Sequence, residues 1–145
     1  MRIAIALLIV CIALDAASIN NKNFGSVRVD EVTSIYDGDT FRAMVKGWPL
    51  LIGERIGIRI KGIDTPEMKG KCAAEKALAR KAKQYTVSLL RRAKTVELRN
   101  MKRGKYFRIV ADVYADGRNV GASLVEKGFA VPYDGGTKTK DWCAR

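Results

Sequence analysis

Two carboxylates and a guanidinium lie close together in one short stretch, the sequence RIKGIDTPE at residues 59–67. Alternating apolar and basic residues predict a strand there, with Arg59 on the face away from the apolar side chains. Pro66 ends that strand, because proline has no backbone N–H to donate and restricts the residue before it. Asp64 and Glu67 are therefore predicted on a rigid corner, which suits a metal site as well as an ordinary exposed turn.

A third carboxylate, Asp39, belongs to the sequence YDGDTF at residues 36–41. The dipeptide Asp37-Gly38 between two strand-like runs is a turn signal, so Asp39 is predicted at the head of the second strand. Asp37 itself is interpreted as a turn residue rather than a ligand. The sequence GKYFR at residues 104–108 adds an aromatic side chain and a second guanidinium at another strand start. All three motifs thus lie at strand ends, where one scaffold can gather them.

The absence of histidine narrows the chemistry that these motifs can perform. A histidine base, a histidine-ligated zinc ion and a serine–histidine pair are all excluded. Hydrolysis would have to use carboxylates, arginines, tyrosines, lysines or a metal ion held by oxygen atoms. For any single carboxylate, a structural salt bridge is the alternative interpretation.

Five short strands and two helices are expected to position the motifs. The strands are predicted at residues 27–35, 40–45, 52–63, 95–99 and 108–115, and the helices at residues 73–93 and 120–127. The longer helix carries one apolar stripe, formed by Ala74, Leu78, Ala82, Tyr85 and Leu89. Periodicity leaves a β-sandwich and a barrel both open as the arrangement of the strands.

In this order and with this spacing, the motifs resemble those of the staphylococcal-nuclease-like (thermonuclease) family. The resemblance runs from about residue 27 to residue 133 and includes the sequence YADG at residues 114–117. It implies a mostly β, α+β fold: a five-stranded OB-type barrel with one long and one short packed helix. The chain departs from the family pattern at Phe107, where glycine is usual. Its C-terminus looks like that of an exported bacterial-type member lacking the third helix.

The resemblance also implies one calcium ion and a clamp for a phosphate group. Two carboxylates and a backbone carbonyl would give an all-oxygen shell, which suits calcium or magnesium better than zinc. These expected ligands are Asp39, Asp64 and the carbonyl of Thr65. The residues expected to act in catalysis are Arg59 and Arg108, which would hold the phosphate, and Glu67, which would position or deprotonate water. The residues expected to contact the nucleotide are Lys105, Tyr106 and Tyr133.

The basic charge of the chain is concentrated in one region. The formal net charge is +12, and residues 69–108 contain fourteen lysines and arginines against two glutamates. Such an excess favours a polyanionic partner, either nucleic acid or an anionic membrane surface. We therefore expect a monomeric, calcium-dependent nuclease acting on DNA and RNA, preferably single-stranded, and the resemblance implies that it leaves 3′-phosphate ends. The alternative is a non-catalytic OB module that binds nucleic acid.

The N-terminal residues have the character of a secretory signal peptide. A twelve-residue apolar run follows Arg2, and small residues precede the expected cleavage near Ser18, so residues 1–18 are predicted to be removed. That run falls short of the ~20 residues that span a bilayer as a helix, so no stable membrane insertion is expected afterwards. The mature chain is predicted to be secreted or periplasmic, with a loose lead-in at residues 19–25 and one nuclease-like OB domain at residues 26–145.

Two cysteines, Cys72 and Cys143, remain in the predicted mature chain. An even pair in an exported protein predicts a disulfide bond. Because it would enclose a long loop, the bond is expected to stabilise the fold by roughly 4 kcal/mol in the loop-entropy model. Two reduced cysteines are the alternative.

Overall fold

A computed structural model describes residues 22–144. In this part of the chain, the strands are β1 (Val27–Val29), β2 (Glu31–Ile35), β3 (Thr40–Met44), β4 (Ile56–Ile60), β5 (Ile63–Asp64), β6 (Val96–Arg103), β7 (Arg108–Ala115), β8 (Arg118–Asn119) and β9 (Val131–Pro132). The helices are α1 (Leu50–Gly53), α2 (Ala73–Arg92) and α3 (Val120–Glu126). No helix within residues 22–144 has both the length and the apolar character needed to cross a membrane. The predicted signal peptide, residues 1–18, lies outside the described residues.

The main sheet curls because its two edge strands are consecutive in the chain. Its strand order is β1-β6-β7-β4-β3-β2, with β8 paired to β7. Only Asp30 separates β1 from β2, so one bent strand pairs with β6 through its first half and with β3 through its second half. Counted in this way, five strands form an OB-type barrel, which confirms the fold predicted from the sequence.

The interior of the barrel is filled by large apolar side chains from its strands and from α3. Those with at most 1% of their surface exposed include Phe41, Ile58, Ile60, Leu98, Val113 and Leu124. Because Ile58 and Ile60 alternate with Arg59 along β4, the arginine points to the outer face of the sheet. Packing of Ile58 and Ile60 in the core therefore fixes the direction of the Arg59 side chain.

Parallel pairing of β4 with β7 brings two of the motifs together. Gly57 lies opposite Arg108, and Arg59 lies opposite Val110. Since residues two apart on a strand share a face, Arg59 and Arg108 project from the same side of the sheet. Beyond β4, the chain leaves this sheet, and Asp64 on β5 pairs with β9 instead. The two guanidinium groups thus come from neighbouring strands, and the acidic corner comes from the segment that follows β4.

Helix α2 packs against the barrel through a line of residues that overlaps only in part with the predicted apolar stripe, of which Tyr85 and Leu89 also pack against the core. Its buried residues are Glu75, Ala79, Ala82, Thr86 and Leu90, so only one member of the predicted stripe, Ala82, is fully buried. The two polar residues on this line have partners in the motifs. Thr86 Oγ1 donates to Gly38 O at 2.7 Å, and Glu75 accepts from Glu67 N at 3.2 Å. The helix therefore holds the motifs in place as well as covering the barrel.

Several element boundaries differ from the prediction, and two of them differ by four residues. The strand predicted at residues 52–63 is wrong at its start, because Gly53 N donates to Pro49 O at 2.8 Å and closes a short helix there. Strand β6 continues to Arg103 instead of ending at residue 99, so the connection to β7 is shorter than predicted. Before β1, Phe24 N donates to Met101 O at 2.8 Å, which joins the lead-in to β6.

Candidate active site

Asp39 is a buried carboxylate immediately before β3, with 1% of its surface exposed. Its Oδ1 accepts hydrogen bonds from Thr40 Oγ1 at 2.9 Å and from Arg59 Nη1. Its Oδ2 accepts one from Thr65 Oγ1 at 3.0 Å. Burial raises the pKa of Asp39 to about 7, although the nearby Arg59 opposes this rise. Asp39 is thus a desolvated carboxylate that depends on a cation to keep its charge.

The turn before Asp39 is fixed by close packing. Asp37 Oδ1 accepts a hydrogen bond from Asp39 N at 3.1 Å, as expected of a turn residue. A Cβ atom at Gly38 would lie 2.9 Å from Thr65 Cγ2 and 3.0 Å from Ala82 Cβ, so a side chain there would push the turn away from its neighbours. The glycine therefore brings Asp39 within hydrogen-bond distance of Thr65.

Arg59 links Asp39 to Asp64. Its Nη1 donates to Asp39, while Nη2 donates to Ile63 O at 3.2 Å and lies 3.8 Å from Asp64 Oδ1. A guanidinium can make these contacts together because its donors lie in one plane with fixed directions. The side chain remains 18% exposed, so Arg59 is not closed off from solvent.

Lys138 binds both carboxylates of the acidic corner. Its Nζ lies 2.8 Å from Asp64 Oδ1 and 2.6 Å from Glu67 Oε1. Partial burial lowers the pKa of Lys138, but the Asp64 and Glu67 carboxylates raise it by more than burial lowers it. The pKa of Lys138 is therefore held above its ordinary value. With Arg59 on Asp39, each of the three predicted carboxylates has a cationic partner. Sequence reasoning missed Lys138, which follows Glu67 by 71 residues.

Arg108 begins β7 beside an aromatic turn. Its Nε donates to Lys105 O at 3.4 Å, and its Cζ lies 5.5 Å from the centre of the Tyr106 ring. Tyr106 and Phe107 have positive φ angles of 57° and 56°, and their side chains are 85% and 56% exposed. Phe107 thus adopts a left-handed conformation that glycine takes at no steric cost, at the position where the resembling pattern has glycine.

One cavity of about 590 Å³ gathers most of the predicted catalytic and nucleotide-contacting residues. Its lining includes Arg59, Glu67, Lys105, Arg108 and Tyr133. Tyr106 is the exception, since it lines a neighbouring cavity of about 500 Å³ together with Arg108. The predicted ligands Asp39, Asp64 and Thr65 line neither cavity and have at most 3% of their surface exposed. The predicted residues therefore form two groups, an exposed set in the cavity and a buried set that Arg59 connects to it.

Glu75 supports this site and was missed by sequence reasoning. Its side chain is buried, Oε1 accepts from Glu67 N at 3.2 Å, and Oε2 accepts from Lys71 N at 2.8 Å. Glu75 therefore fixes the backbone that carries Glu67. The signal in the sequence is its position three residues after the N-cap of α2, where glutamate commonly bonds backbone N–H groups.

A disulfide bond joins Cys72 to Cys143, as predicted. Within residues 22–144, these cysteines and Glu75 form the only group of three histidine, cysteine or acidic side chains whose ligand atoms all lie within 4.8 Å of one another. Because both sulfur atoms belong to the disulfide, no thiolate is left to bind a metal ion. This group therefore does not replace the predicted aspartate site.

The donor set around Asp39 and Asp64 fits a hard divalent cation. Asp64 Oδ1 is a buried oxygen that accepts no well-directed hydrogen bond from the described residues, and its charged neighbours are Lys138 and Arg59. Such an oxygen is costly to bury unless it is paired or coordinated. Two carboxylates and the Thr65 carbonyl are ligands that calcium and magnesium prefer.

Comparison with known proteins places the motifs in a family. The family model described as Staphylococcal nuclease homologue matches residues 57–142, which is more than half of the chain. The match includes Arg59, Glu67 and Arg108, and it begins after Asp39.

Several curated relatives are described as endonucleases. A probable endonuclease of Schizosaccharomyces pombe is 28% identical over an alignment of length 145. That alignment covers 84% of this chain and 62% of the relative. A probable endonuclease of Pyrenophora tritici-repentis is 28% identical over 129 residues, covering 74% and 47%. An uncharacterized endonuclease of Haemophilus influenzae is 32% identical over 102 residues, covering 70% and 51%. The chain thus spans between about half and three fifths of the length of these relatives. On the extent of the family match, the chain belongs to the staphylococcal nuclease homologue family.

Proposed function

We propose that this chain is a calcium-dependent, secreted nuclease that hydrolyses the phosphodiester bonds of DNA and RNA and leaves 3′-phosphate ends. The observation that carries the proposal is the projection of Arg59 and Arg108 from one face of the sheet, with Glu67 lining the same cavity. The description of several relatives as endonucleases supports the same class of activity.

Two guanidinium groups bordering one cavity suit a phosphodiester. Their planar N–H groups match the phosphate oxygens, and their charge opposes the negative charge that grows as phosphorus becomes five-coordinate. Arg59 is held by Asp39 and Ile63, and is therefore oriented before substrate arrives. Such preorganisation lowers the reorganisation needed in the transition state.

Glu67 is the carboxylate best placed to act on a water molecule. Its side chain is 54% exposed and lines the cavity, whereas Asp39 and Asp64 are buried. In the proposed step, the water oxygen bonds to phosphorus while one of its protons passes to the Glu67 carboxylate. Cleavage of the bond between phosphorus and O5′ then leaves a 3′-phosphate, and the departing 5′ oxygen takes up a proton from solvent.

Asp39, Asp64 and the Thr65 carbonyl are the groups that would hold the calcium ion. When bound, the ion supplies positive charge that polarises the phosphate and offsets its negative charge. The chain already orients one of these ligands, because Thr65 Oγ1 and Thr40 Oγ1 both donate to the Asp39 carboxylate. Each donor limits the rotation of that carboxylate and so reduces the cost of binding an ion.

Single-stranded nucleic acid is the preferred substrate in this proposal, and the chain acts as a monomer. Tyr106 and Phe107 present exposed aromatic rings beside Arg108, and unpaired bases can stack on such rings. The basic residues between positions 69 and 108 would add a salt-dependent attraction for the phosphate backbone. The aromatic rings thus favour single strands, while the basic residues attract any nucleic acid.

The activity is tested by incubating labelled single-stranded DNA, duplex DNA and RNA with the purified mature chain in calcium, in magnesium and in chelator. We expect cleavage in calcium, none in chelator, and products whose mobility changes when a phosphatase removes a 3′-phosphate. Cleavage undiminished by chelator would reject the metal mechanism. Tight binding without cleavage in any divalent ion would instead favour a non-catalytic nucleic-acid-binding module.

Secretion is tested separately, by mass analysis of the protein recovered from the periplasm and the medium after expression of the full chain. We expect a mature chain that begins near Ile19 and weighs two protons less than the fully reduced form. An intact Met1 in the recovered protein would argue against removal of residues 1–18.

A further inference from the structure

The segment that carries Lys138 is attached to the site at both of its ends. We call residues 133–144 the tail segment. At its start, Tyr133 N donates to Gly62 O at 2.9 Å, next to the acidic corner. Near its end, Cys143 is joined by the disulfide to Cys72 at the N-terminus of α2. Lys138 lies between these two attachments, so its backbone is held close to Asp64 and Glu67.

The ammonium group of Lys138 occupies a position between two carboxylates that the proposed mechanism needs for other purposes. It is 2.8 Å from Asp64, a proposed calcium ligand, and 2.6 Å from Glu67, the proposed base. Asp64 is buried and its nearest other cation, Arg59, is at 3.8 Å. Among residues 22–144, Lys138 therefore carries the positive charge closest to the buried Asp64 oxygen.

We propose that Lys138 is an internal counter-cation, which holds Asp64 and Glu67 in the metal-free chain and is displaced from both carboxylates when the divalent ion binds. The inference rests on the proposed function, because it assumes an ion at Asp39 and Asp64. An ammonium and a dication cannot share one carboxylate oxygen without strong repulsion at such distances. The lysine side chain is 42% exposed and flexible, so it can swing into solvent while its backbone stays in place.

Competition of this kind links the ion to the fold of the tail segment. Ion binding must break the contact between Lys138 and Asp64, and this lowers the apparent affinity for the ion. By the same linkage, removing the lysine charge should weaken the metal-free chain and tighten ion binding by equal free energies. That equality is what separates competition from a merely structural ion pair.

The test compares Lys138→Met with the parent chain and with Lys61→Met. Lys61 lines the same cavity but pairs with Asp112 at 3.8 Å, so it controls for the loss of one positive charge near the ion. Calcium affinity is measured by titration calorimetry without nucleic acid, and thermal unfolding is measured in chelator and in saturating calcium. None of these measurements depends on cleavage.

For Lys138→Met we expect a calcium Kd lower by about 10-fold, the scale of a partly buried pair of ionic contacts. The variant should melt below the parent in chelator and together with it in saturating calcium, while Lys61→Met changes the Kd by less than about 3-fold. An unchanged or weaker affinity in Lys138→Met would overturn the inference and leave the proposed function intact. No calcium binding by either chain would overturn both the inference and the metal dependence of the proposed function.

Discussion

Gly57 and Arg108 are direct neighbours across the parallel pair of β4 and β7, and the glycine leaves the space that the arginine stem fills. A Cβ atom at position 57 would lie 2.9 Å from Arg108 Cγ, closer than real Cβ contacts allow. The clash falls near the base of the side chain, so a rotation at its far end does not relieve it. The direction of the Arg108 guanidinium therefore depends on the absence of a side chain on the neighbouring strand.

Gly57→Ala is expected to lower kcat by about 10- to 100-fold, because a displacement of about 1 Å in a phosphate-binding group can cost that much. All charges remain, so calcium affinity should be unchanged. Single-turnover cleavage of a short single-stranded oligonucleotide measures the effect. The control is a double-mutant cycle with Arg108→Ala. In the chain that lacks the arginine, Gly57→Ala should lower kcat only slightly further. Independent losses in the cycle would show that Gly57 does not act through Arg108.

Arg59→Lys is expected to lower kcat by about 10²-fold, since lysine keeps the charge but loses the fork that holds a phosphate. It should also lower the free energy of unfolding by about 1–3 kcal/mol, because a single ammonium cannot replace the bonds to Asp39 and to Ile63 O. Steady-state kinetics and urea unfolding measure the two effects. Arg118→Lys is the matched control, because Arg118 donates to Ser123 Oγ at 2.7 Å and lines neither the 590 Å³ nor the 500 Å³ cavity. Equal kinetic effects of the two substitutions would remove Arg59 from the mechanism.

Glu75→Gln is expected to destabilise the chain by about 1–3 kcal/mol, because one of its two backbone N–H partners would face an amide NH₂ group. The kcat should fall as well, since the backbone of Glu67 loses its anchor. Urea unfolding gives the first quantity, and kinetics at a temperature where the variant is fully folded give the second. Glu126→Gln serves as the control, because that side chain is exposed and pairs only loosely with Arg118 at 3.6 Å. A variant with normal kcat would limit Glu75 to stability.

Cys143→Ser is expected to lower the free energy of unfolding by about 4 kcal/mol in the loop-entropy model, since the bond closes a loop between residues 71 apart. Cys72→Ser should lower the free energy of unfolding by slightly less. Cys72 is the N-cap of α2 and its Sγ accepts from Glu75 N at 3.4 Å, and serine is a good residue for that role. Thermal unfolding with and without reductant measures the effect. A melting temperature of the parent chain that reductant does not lower would contradict it.

The lowered pKa of Asp116 predicts how the free energy of unfolding depends on pH. Hydrogen bonds from the backbone N–H groups of Thr95 and Lys94 lower its pKa in the folded chain. The unfolded chain, with an ordinary aspartate pKa of about 3.9, is therefore protonated first as the pH falls. The contribution is fully present above that value and is lost as the pH falls through the lower folded pKa. Asp116→Asn should thus melt below the parent at pH 7, and the gap should close at more acid pH. A gap that is constant from pH 7 to pH 2 would exclude this contribution.

The residues that sequence analysis placed correctly are those whose positions follow from local patterns. Arg59 points outward because its neighbours Ile58 and Ile60 fill the core, and alternation along a half-buried strand reveals this directly. The turn at Asp37 follows from residue types that favour turns. These features need no information from distant parts of the chain.

The errors concern contacts that join distant parts of the chain. Thr86 is buried on α2 because it bonds Gly38 O, 48 residues away, and an apolar stripe cannot include such a residue. Lys138 reaches Glu67 across 71 residues, so no local pattern pairs them. The short helix at Leu50–Gly53 is missed by sequence analysis for another reason. A brief apolar run is compatible with either a helix or a strand.

The parallel pairing of β4 with β7 also determines when the proposed site can exist during folding. Helix α2 and the β6–β7 hairpin are built from local contacts and can form early, whereas β4 must find β7 across everything between them. Contacts between residues far apart in sequence form slowly, because the entropy of closing the loop is lost before the contacts compensate for it. Arg59 and Arg108 are therefore separate in a chain whose β4 has not yet paired with β7. Helical structure should return before cleavage on refolding, and the unfinished chain should be harmless to nucleic acid around it.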